Sequence, residues 1–336
     1  MSYQATAIVG AFLAFGLLHI RGPDGTGGWR YLFALEGLLT GLIGIFAGFY
    51  MPPSPTQTAG RFRGERGWFN EREEKIMVNR VIRDDPGKGS MHNRQAVTIE
   101  LLWEAIRDYD LWPIYLLGLT WLVPPAPATT YITLQLKSLG FSTFQTNLLS
   151  IPAYVIFIIN LWFWTWVSER FNQRLLLGVV AEVWNIVLLI ALEVLPANAG
   201  AWGKWAILTL LVGSPYIHAI IVAITSRNAG SVRTRTVASA LYNIAVQAGD
   251  IIANNVSNFF LLRFSRRSGV LIYHHFKVYQ DKDKPLYRRG NKVLIAIAIW
   301  SMLVFIAAKW YYVRQNKYVY TLLHSILDIG DSSSIR

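Results

Sequence analysis

Residues 293–313 read VLIAIAIWSMLVFIAAKWYYV, an apolar run whose only charged residue is Lys309. A helix that crosses the hydrocarbon core of a bilayer needs about 20 predominantly apolar residues, and this run meets that length. Backbone groups inside hydrocarbon can find hydrogen-bond partners only in helices or closed barrels, so we predict a helix here. Seven further apolar runs precede it, at 5–20, 29–50, 111–136, 148–167, 175–195, 205–226 and 237–262. We therefore predict an all-α polytopic membrane protein with about eight transmembrane helices.

The composition agrees with a bilayer as the main solvent. Hydrophobic residues make up 53% of the 336 residues and charged residues 15%, whereas soluble proteins carry about 25% charged residues. The net charge of +12 is concentrated between the apolar runs, where positive charges set orientation, so we expect no nucleic-acid partner. The chain has no cysteine and its six histidines show no ligand spacing. We therefore expect neither a metal nor another cofactor.

Lysine and arginine also predict the orientation in the membrane. They are more numerous on the side that holds both termini and the charged segment 51–110 than on the other side. Because positive loops stay on the cytoplasmic side, we expect both termini in the cytoplasm.

The charged segment divides the chain. Within it, Asn70 and Glu73 form a capping-box pattern that opens a helix, and residues 85–87 (DPG) are expected to end that helix. Residues 99–106 form a second short amphipathic helix that suits a position along the membrane surface. We predict four parts: two helices of a first bundle (1–55), a cytoplasmic linker (56–110), a six-helix bundle (111–313) and a cytoplasmic tail (314–336).

Two loops on the linker side carry clustered charges. The first, 168–174, is a tight turn with an acid and two arginines, and the second, 226–236, has three arginines beside a flexible glycine. Such charges can form a latch that opens and closes with conformation, but plain loops obeying the positive-inside rule show the same pattern. The latch and hinge candidates are Glu169, Arg170, Arg174, Arg227, Arg233 and Arg235.

Polar residues inside the apolar runs are candidates for a transport pathway. Asn243, Gln247, Asp250 and Asn254 share one helical stripe, which predicts either a solvated pathway or hydrogen bonds to a neighbouring helix. Tyr131 and Gln135 form an i,i+4 pair after prolines 124, 125 and 127. Broken helices are where transporters build binding sites, although a simple kink at the membrane face is an equal alternative.

Two ionisable residues are also predicted to lie within spans. Glu182 and His218 are functional candidates because charged groups in a membrane are costly. For Glu182 the alternative is a packing residue satisfied by nearby Asn185. His218 stands close to Pro215 and Tyr216, and a structural role is the alternative for it as well.

Several motifs together resemble the fungal allantoate permease family, which belongs to the anion:cation symporters of the major facilitator superfamily. They are GWRYLF at 28–33 followed by Glu36 and Gly37, MPPSP at 51–55, Trp68 and Phe69, the loop 226–236, Gln247, and DKPLYRRGN at 283–291. The resemblance covers roughly residues 2–255 and 278–318. It implies a major facilitator fold and proton-coupled uptake of a small organic anion, such as allantoate, ureidosuccinate, nicotinate or pantothenate, at a fungal plasma membrane. Our candidates for the substrate and proton pathway are the polar residues Tyr131, Gln135, Asn160, His218, Asn243 and Gln247. Glu182 ranks lower, because the helix that carries it is peripheral in the fold that the resemblance implies.

The sequence departs from this family in two ways. The family has twelve helices in two bundles, and this chain is expected to begin at the equivalent of the fifth, which would weaken or abolish transport by the chain alone. Residues 256–277 interrupt the family pattern, and 319–336 depart from its tail, so both are expected to be gene-model artefacts.

Two other functions stay open. An intramembrane transferase would need paired polar groups at a membrane face. His324 and Asp328 have an HxxxD spacing, but they lie in the tail that departs from the family, where coincidence explains the spacing better. The chain would otherwise be a non-transporting fragment that associates with a full-length homologue.

Overall fold

The computed structural model describes residues 2–20, 27–84, 98–196, 199–229, 232–264 and 288–333. Every regular element in these ranges is helical, which confirms the predicted all-α class. The helices are α1 (Ser2–Leu17), α2 (Gly28–Tyr50), α3 (Glu71–Asp84), α4 (Ile99–Arg107), α5 (Trp112–Thr120), α6 (Ala126–Ser138), α7 (Thr143–Phe171), α8 (Arg174–Val194), α9 (Ala201–Val212), α10 (His218–Asn228), α11 (Val232–Phe264) and α12 (Arg288–Ser333).

Four of these helices are long and apolar enough to cross a membrane unbroken. They include α2, α7 and α8, and residues 290–318 of α12, while α1 and α9 are shorter apolar helices. The eight predicted spans correspond to α1, α2, α5 with α6, α7, α8, α9 with α10, α11, and α12. The architecture is that of a polytopic membrane protein.

Two of the predicted spans are each divided into two helices. Span 111–136 breaks between α5 and α6 at Pro124 and Pro125, as expected, since proline lacks the amide that continues the backbone ladder. The prediction of one continuous helix over 205–226 is wrong, because α9 ends at Val212 and α10 begins only at His218. Gly213 and Pro215 lie in this second break.

Glycines allow the closest helix crossings. At Gly249 of α11 an added Cβ would lie 2.4 Å from the backbone oxygen of Leu119 in α5, and at Gly178 of α8 it would lie 2.2 Å from the ring of Phe305 in α12. Small residues at such crossings are the main device by which membrane helices pack closely. The pairs α8 with α12 and α5 with α11 are among the most extensive contacts of the structure.

The first two helices are attached differently from the rest. Helix α1 packs along α7, where the rings of His19 and Phe144 stack with their centroids 3.6 Å apart. Helix α2 contacts α1, and its most apolar segment has no buried residue. Its C-terminal end is capped by Arg63, whose Nη1 donates to the carbonyl of Met51 at 2.8 Å.

The linker contains both predicted helices. The capping box that opens α3 is confirmed, since Asn70 N donates to Glu73 Oε2 at 3.0 Å and Glu73 N donates to Asn70 Oδ1 at 2.9 Å. The DPG sequence at 85–87, predicted to end this helix, lies outside the described residues. The second helix, α4, is followed by a short 3-10 helix, Tyr109–Leu111, and then directly by α5.

The segment 256–277 and the tail are described in part. Residues 256–264 continue α11 as helix, so this helix extends through the end of the predicted span 237–262, and 265–287 lie outside the described residues. Helix α12 is 46 residues long and runs through most of the predicted tail, 314–336. The four-part division of the chain stays a prediction.

Candidate functional site

An aromatic cluster surrounds the break between α9 and α10. Its members come from four segments: Trp121 at the end of α5, Phe157 in α7, Tyr216 and His218 at the break itself, and Tyr242 in α11. The Tyr216 ring lies 5.4 Å from that of Trp121 and 4.9 Å from that of Phe157, measured between centroids. The His218 ring lies 5.4 Å from that of Tyr242. The break is therefore where α5, α7, α10 and α11 converge.

Two hydrogen bonds hold polar groups at this break. The hydroxyl of Tyr242 lies 3.3 Å from His218 Nδ1, so either group can donate according to the histidine tautomer. Asn160 of α7 donates from Nδ2 to the carbonyl of Gly213 at 2.6 Å. That carbonyl lies just past the last residue of α9, where the intrahelical ladder stops. Asn160 and His218, both predicted pathway residues, thus lie at one break.

The exposed side chains differ in polarity between two groups of helices. On α7, α8 and α12 the exposed residues near the helix centres are large and apolar, for example Ile159, Val187 and Leu303. On α6, α10 and α11 large apolar side chains such as Leu134, Ile244 and Ile251 are exposed as well, but the exposed residues there also include a set of small or polar side chains: Thr129, Thr130, Thr133, Ala219, Ala223, Asn243 and Gln247. Because α11 packs against both α6 and α10, these residues lie on neighbouring helices. We call this set the polar face.

The predicted pair on the third span lies next to the first break. Tyr131 has φ −115° and ψ 20°, which is non-helical and marks a kink within α6. Gln135 is buried, and its Nε2 donates to the carbonyl of Pro127 at 3.3 Å. Gln135 therefore satisfies a carbonyl near the start of its own helix, and no hydrogen bond joins it to His218 among the described residues.

The polar stripe of α11 is partly exposed. Asn243 and Gln247 are exposed, and Asp250 is half-buried. Asn243 donates from Nδ2 to the carbonyl of Ser239 in the same helix at 2.9 Å. The side chain of Asn254 lies outside the described residues. Asn243 and Gln247 are thus not covered by the described helices, and the solvated pathway along this stripe stays a prediction.

Glu182 is away from the aromatic cluster, between α8 and α12. It is 1% exposed, and Asn185 and Ser301 lie beside it. Neither carboxylate oxygen has a hydrogen-bond partner among the described residues. The side chain is therefore enclosed in the packed interior, and its role stays a prediction. Nowhere among the described residues are three His, Asp or Glu side chains placed to hold a metal ion.

The latch and hinge residues lie at the ends of α7, α8, α10 and α11. Asn172, with φ 49°, makes the left-handed turn between α7 and α8. Arg174 interacts electrostatically with Arg227 and Glu169. Among the described side chains, however, no ion pair joins Glu169 to one of the latch arginines.

The arginines that follow α10 are described only in part. Arg235 donates from Nε to the carbonyl of Ala229 at 3.2 Å and so bridges the turn between α10 and α11. The side chain of Arg233 lies outside the described residues. The latch therefore stays a prediction.

Sequence reasoning missed four members of the aromatic cluster as site residues. Trp121, Phe157, Tyr216 and Tyr242 were not selected because aromatic residues in a membrane protein are usually packing or interfacial residues. Two of them stand next to helix-breaking residues in the sequence, since Trp121 precedes Pro124 and Tyr216 follows Pro215. Aromatic residues beside prolines within a span were the available indication.

Comparison with known proteins supports this architecture. The family model described as Major Facilitator Superfamily matches residues 1–254. The chain is 38% identical over 312 residues to an uncharacterized transporter of Saccharomyces cerevisiae, an alignment that covers 93% of this chain and 54% of the relative. A putative uncharacterized transporter of the same yeast is 40% identical over 202 residues, covering 60% of this chain and 84% of that protein.

A more distant relative has a more specific name. The thiamine pathway transporter of Saccharomyces cerevisiae is 26% identical over 247 residues, covering 73% of this chain and 45% of that protein. No solved structure matches the chain. The chain thus spans about half the length of the first and the last of these relatives.

The matched family model covers most of the chain, and the helical architecture agrees with it. Its relatives are named as transporters. The superfamily expected from the sequence motifs is confirmed: this chain belongs to the major facilitator superfamily.

Proposed function

We propose that the protein is a secondary active transporter that carries a small organic anion together with a proton by alternating access. The observation that carries this proposal is the polar face of α6, α10 and α11. Polar groups exposed within membrane helices are tolerated where they meet water or a partner rather than lipid tails. A water-filled pathway along this face agrees with the superfamily to which the chain belongs.

The two helix breaks suit an anionic solute. Helix α10 begins at His218 and α6 begins at Ala126, and the first amides of a helix carry partial positive charge. Transporters use such half-helix ends to bind anionic groups. We assign solute contact to Tyr131, Gln135, Asn160, His218, Asn243 and Gln247. Tyr242 and Tyr216 orient the histidine, and His218 is the group placed to exchange a proton.

The allantoate permease family remains the proposed subfamily, on the motifs already given. Its solutes, allantoate, ureidosuccinate, nicotinate and pantothenate, each carry a carboxylate on a small polar body. The proposed location is the plasma membrane, with both termini and the linker in the cytoplasm. Glu169 and the loop arginines would then lie at the cytoplasmic mouth, where they can pair in one conformation and separate in another.

Uptake into yeast that lacks its own permease for each solute tests the proposal. Cells expressing the chain should accumulate at least one of the four labelled anions above vector controls, and more at acidic than at neutral external pH. Because transport by the chain alone is expected to be weakened, this uptake should be lower than that of cells expressing a full-length homologue. A protonophore should remove the difference. His218→Phe, which keeps an aromatic ring but loses both ring nitrogens, should abolish uptake, whereas the exposed Ile159→Leu should not. Normal membrane expression without uptake of any anion would contradict the proposal.

A second candidate is an assembling subunit. The apolar surface of α2 is uncovered, with Phe33, Phe46 and Ile45 each more than 60% exposed. Membrane helices can cover such a surface as well as lipid does. In that case uptake would appear only when a longer homologue is co-expressed, and the tagged chain would co-purify with it.

A further inference from the structure

The linker helix α4 has an exposed apolar face. Ile99 is 85% exposed, Trp103 53% and Leu102 38%. On a helix of nine residues these three side chains, with Ile106, occupy one side. The guanidinium of Arg107 lies 4.9 Å from the centre of the Trp103 ring, an arrangement that leaves the charge at the edge of the apolar face.

Helix α4 is held at the level where α5 begins. Trp112 Nε1 donates to the carbonyl of Ile106 at 2.9 Å, and the hydroxyl of Tyr115 donates to the carbonyl of Ala105 at 3.4 Å. Ala105 itself is 1% exposed. Since Tyr115 lies within the first turn of α5, the C-terminal half of α4 is beside the end of a membrane span.

The connection between α4 and α5 is also fixed from α12. The hydroxyl of Tyr311 donates to Asp110 Oδ1 at 2.5 Å, and that of Tyr312 donates to the Asp110 carbonyl at 2.6 Å. Asp108 accepts from the Asp110 amide at 3.1 Å and caps the intervening turn. Helix α4 is therefore held at a defined place on the bundle.

The apolar face continues onto the membrane span. Tyr109 is 72% exposed, Trp112 54% and Leu116 40%, so exposed aromatic and aliphatic side chains run from α4 through the turn into α5. Tryptophan and tyrosine concentrate at the headgroup level of membranes. Leu116 is thus exposed within the span itself, and the face of α4 adjoins this exposed part of α5.

The opposite side of α4 is acidic. Glu100, Glu104 and Asp108 line a cavity of about 590 Å³ that also reaches Thr234 of α11, and Trp103 and Arg107 form the edge that this cavity shares with the apolar face. These carboxylates turn away from the apolar face. With two acids and one arginine in α4, attraction to anionic lipids cannot supply the binding free energy, which must come from burial of the apolar side chains.

We propose that α4 lies along the membrane surface, with Ile99, Leu102 and Trp103 inserted among the headgroups of the leaflet on the linker side. The acidic side then faces water and α11. In this position α4 attaches the linker to the leaflet at the point where it joins the six helices that follow.

The absence of cysteine from the chain permits a direct test. The full chain is reconstituted in vesicles of phosphatidylcholine alone, with a single cysteine at Ile99 or, as the matched control, at the exposed Glu104 on the acidic side. Each cysteine carries an environment-sensitive fluorophore. Quenchers attached to lipid near the headgroups and iodide in the water report the position of the label.

The Ile99→Cys label should be quenched roughly fivefold more by the lipid quencher than the Glu104→Cys label, with the reverse order for iodide. Adding anionic lipid should change neither ratio greatly. Equal iodide quenching at both positions would place α4 in water and overturn the proposal. A label at Ile99 shielded from both quenchers would also overturn it, because that result means that protein covers the face. Neither readout depends on transport, so the position of α4 is tested independently of the proposed transport function.

Discussion

Replacing Gly249 with alanine is expected to destabilise the bundle, because α11 crosses α5 there without room for a side chain. An added Cβ would lie 2.4 Å from the carbonyl oxygen of Leu119 and 3.1 Å from its carbonyl carbon. Optimal contacts between carbon atoms lie at about 3.5–4.0 Å, so α5 and α11 must separate by roughly 1 Å. Overpacking costs about 1–3 kcal/mol, and a backbone obstruction places this substitution near the upper value. Alanine regains about 0.5–1 kcal/mol of helical preference, which leaves a net loss of about 2 kcal/mol.

Equilibrium unfolding in mixed detergent micelles measures this loss. The matched control is Gly203→Ala in α9, where an added Cβ meets nothing within 4 Å. The control should be unchanged or slightly more stable than the parent, while Gly249→Ala should lose about 2 kcal/mol. If both variants unfold at the same denaturant concentration, the close crossing of α5 and α11 is wrong.

Two further substitutions test other contacts by the same unfolding assay. The free energy of unfolding of Gly178→Ala should fall by about 1–3 kcal/mol, because the added Cβ meets the buried ring of Phe305. Adding Phe305→Leu should restore part of this loss. A double variant that is less stable than Gly178→Ala would refute the contact. Asn160→Ala should lose about 1 kcal/mol by leaving the Gly213 carbonyl without its donor, and no loss would show that water replaces the amide.

The spans and the first helix break were predictable because they depend on local chemistry. An apolar run of about 20 residues has few alternatives to a membrane helix, and Pro124 and Pro125 stop a helix wherever they stand. The capping box at Asn70 and Glu73 is equally local, since both partners lie within one turn. These features need no knowledge of tertiary packing.

The second break and the aromatic cluster were harder to predict. A single proline, Pro215, can kink a helix or end it, and the outcome depends on whether a neighbour satisfies the freed carbonyl, as Asn160 does. The convergence of Trp121, Tyr216 and Tyr242 depends on how distant helices cross. That position 249 has no room for a side chain likewise cannot be predicted without the position of α5.

For the polar residues within the spans, periodicity predicted which of them share a helix face, but not what that face contacts. The stripe of Asn243 and Gln247 follows from helical periodicity, but whether it meets water or another helix depends on the neighbours of α11. Glu182 was a candidate by its depth alone, and the structure places it between α8 and α12 beside Asn185 and Ser301.

The most direct test of the account is the water accessibility of the polar face. Single cysteines replace Asn243 on α11 and Ile159, near the centre of α7, in the otherwise cysteine-free chain, and a charged methanethiosulfonate reagent is added to the reconstituted protein. Only an ionised thiol in water reacts quickly, so Asn243→Cys should react roughly a hundredfold faster than Ile159→Cys. The solute should slow the reaction at Asn243→Cys. Equally slow modification at both positions would place the polar face against lipid or protein and contradict the proposed pathway.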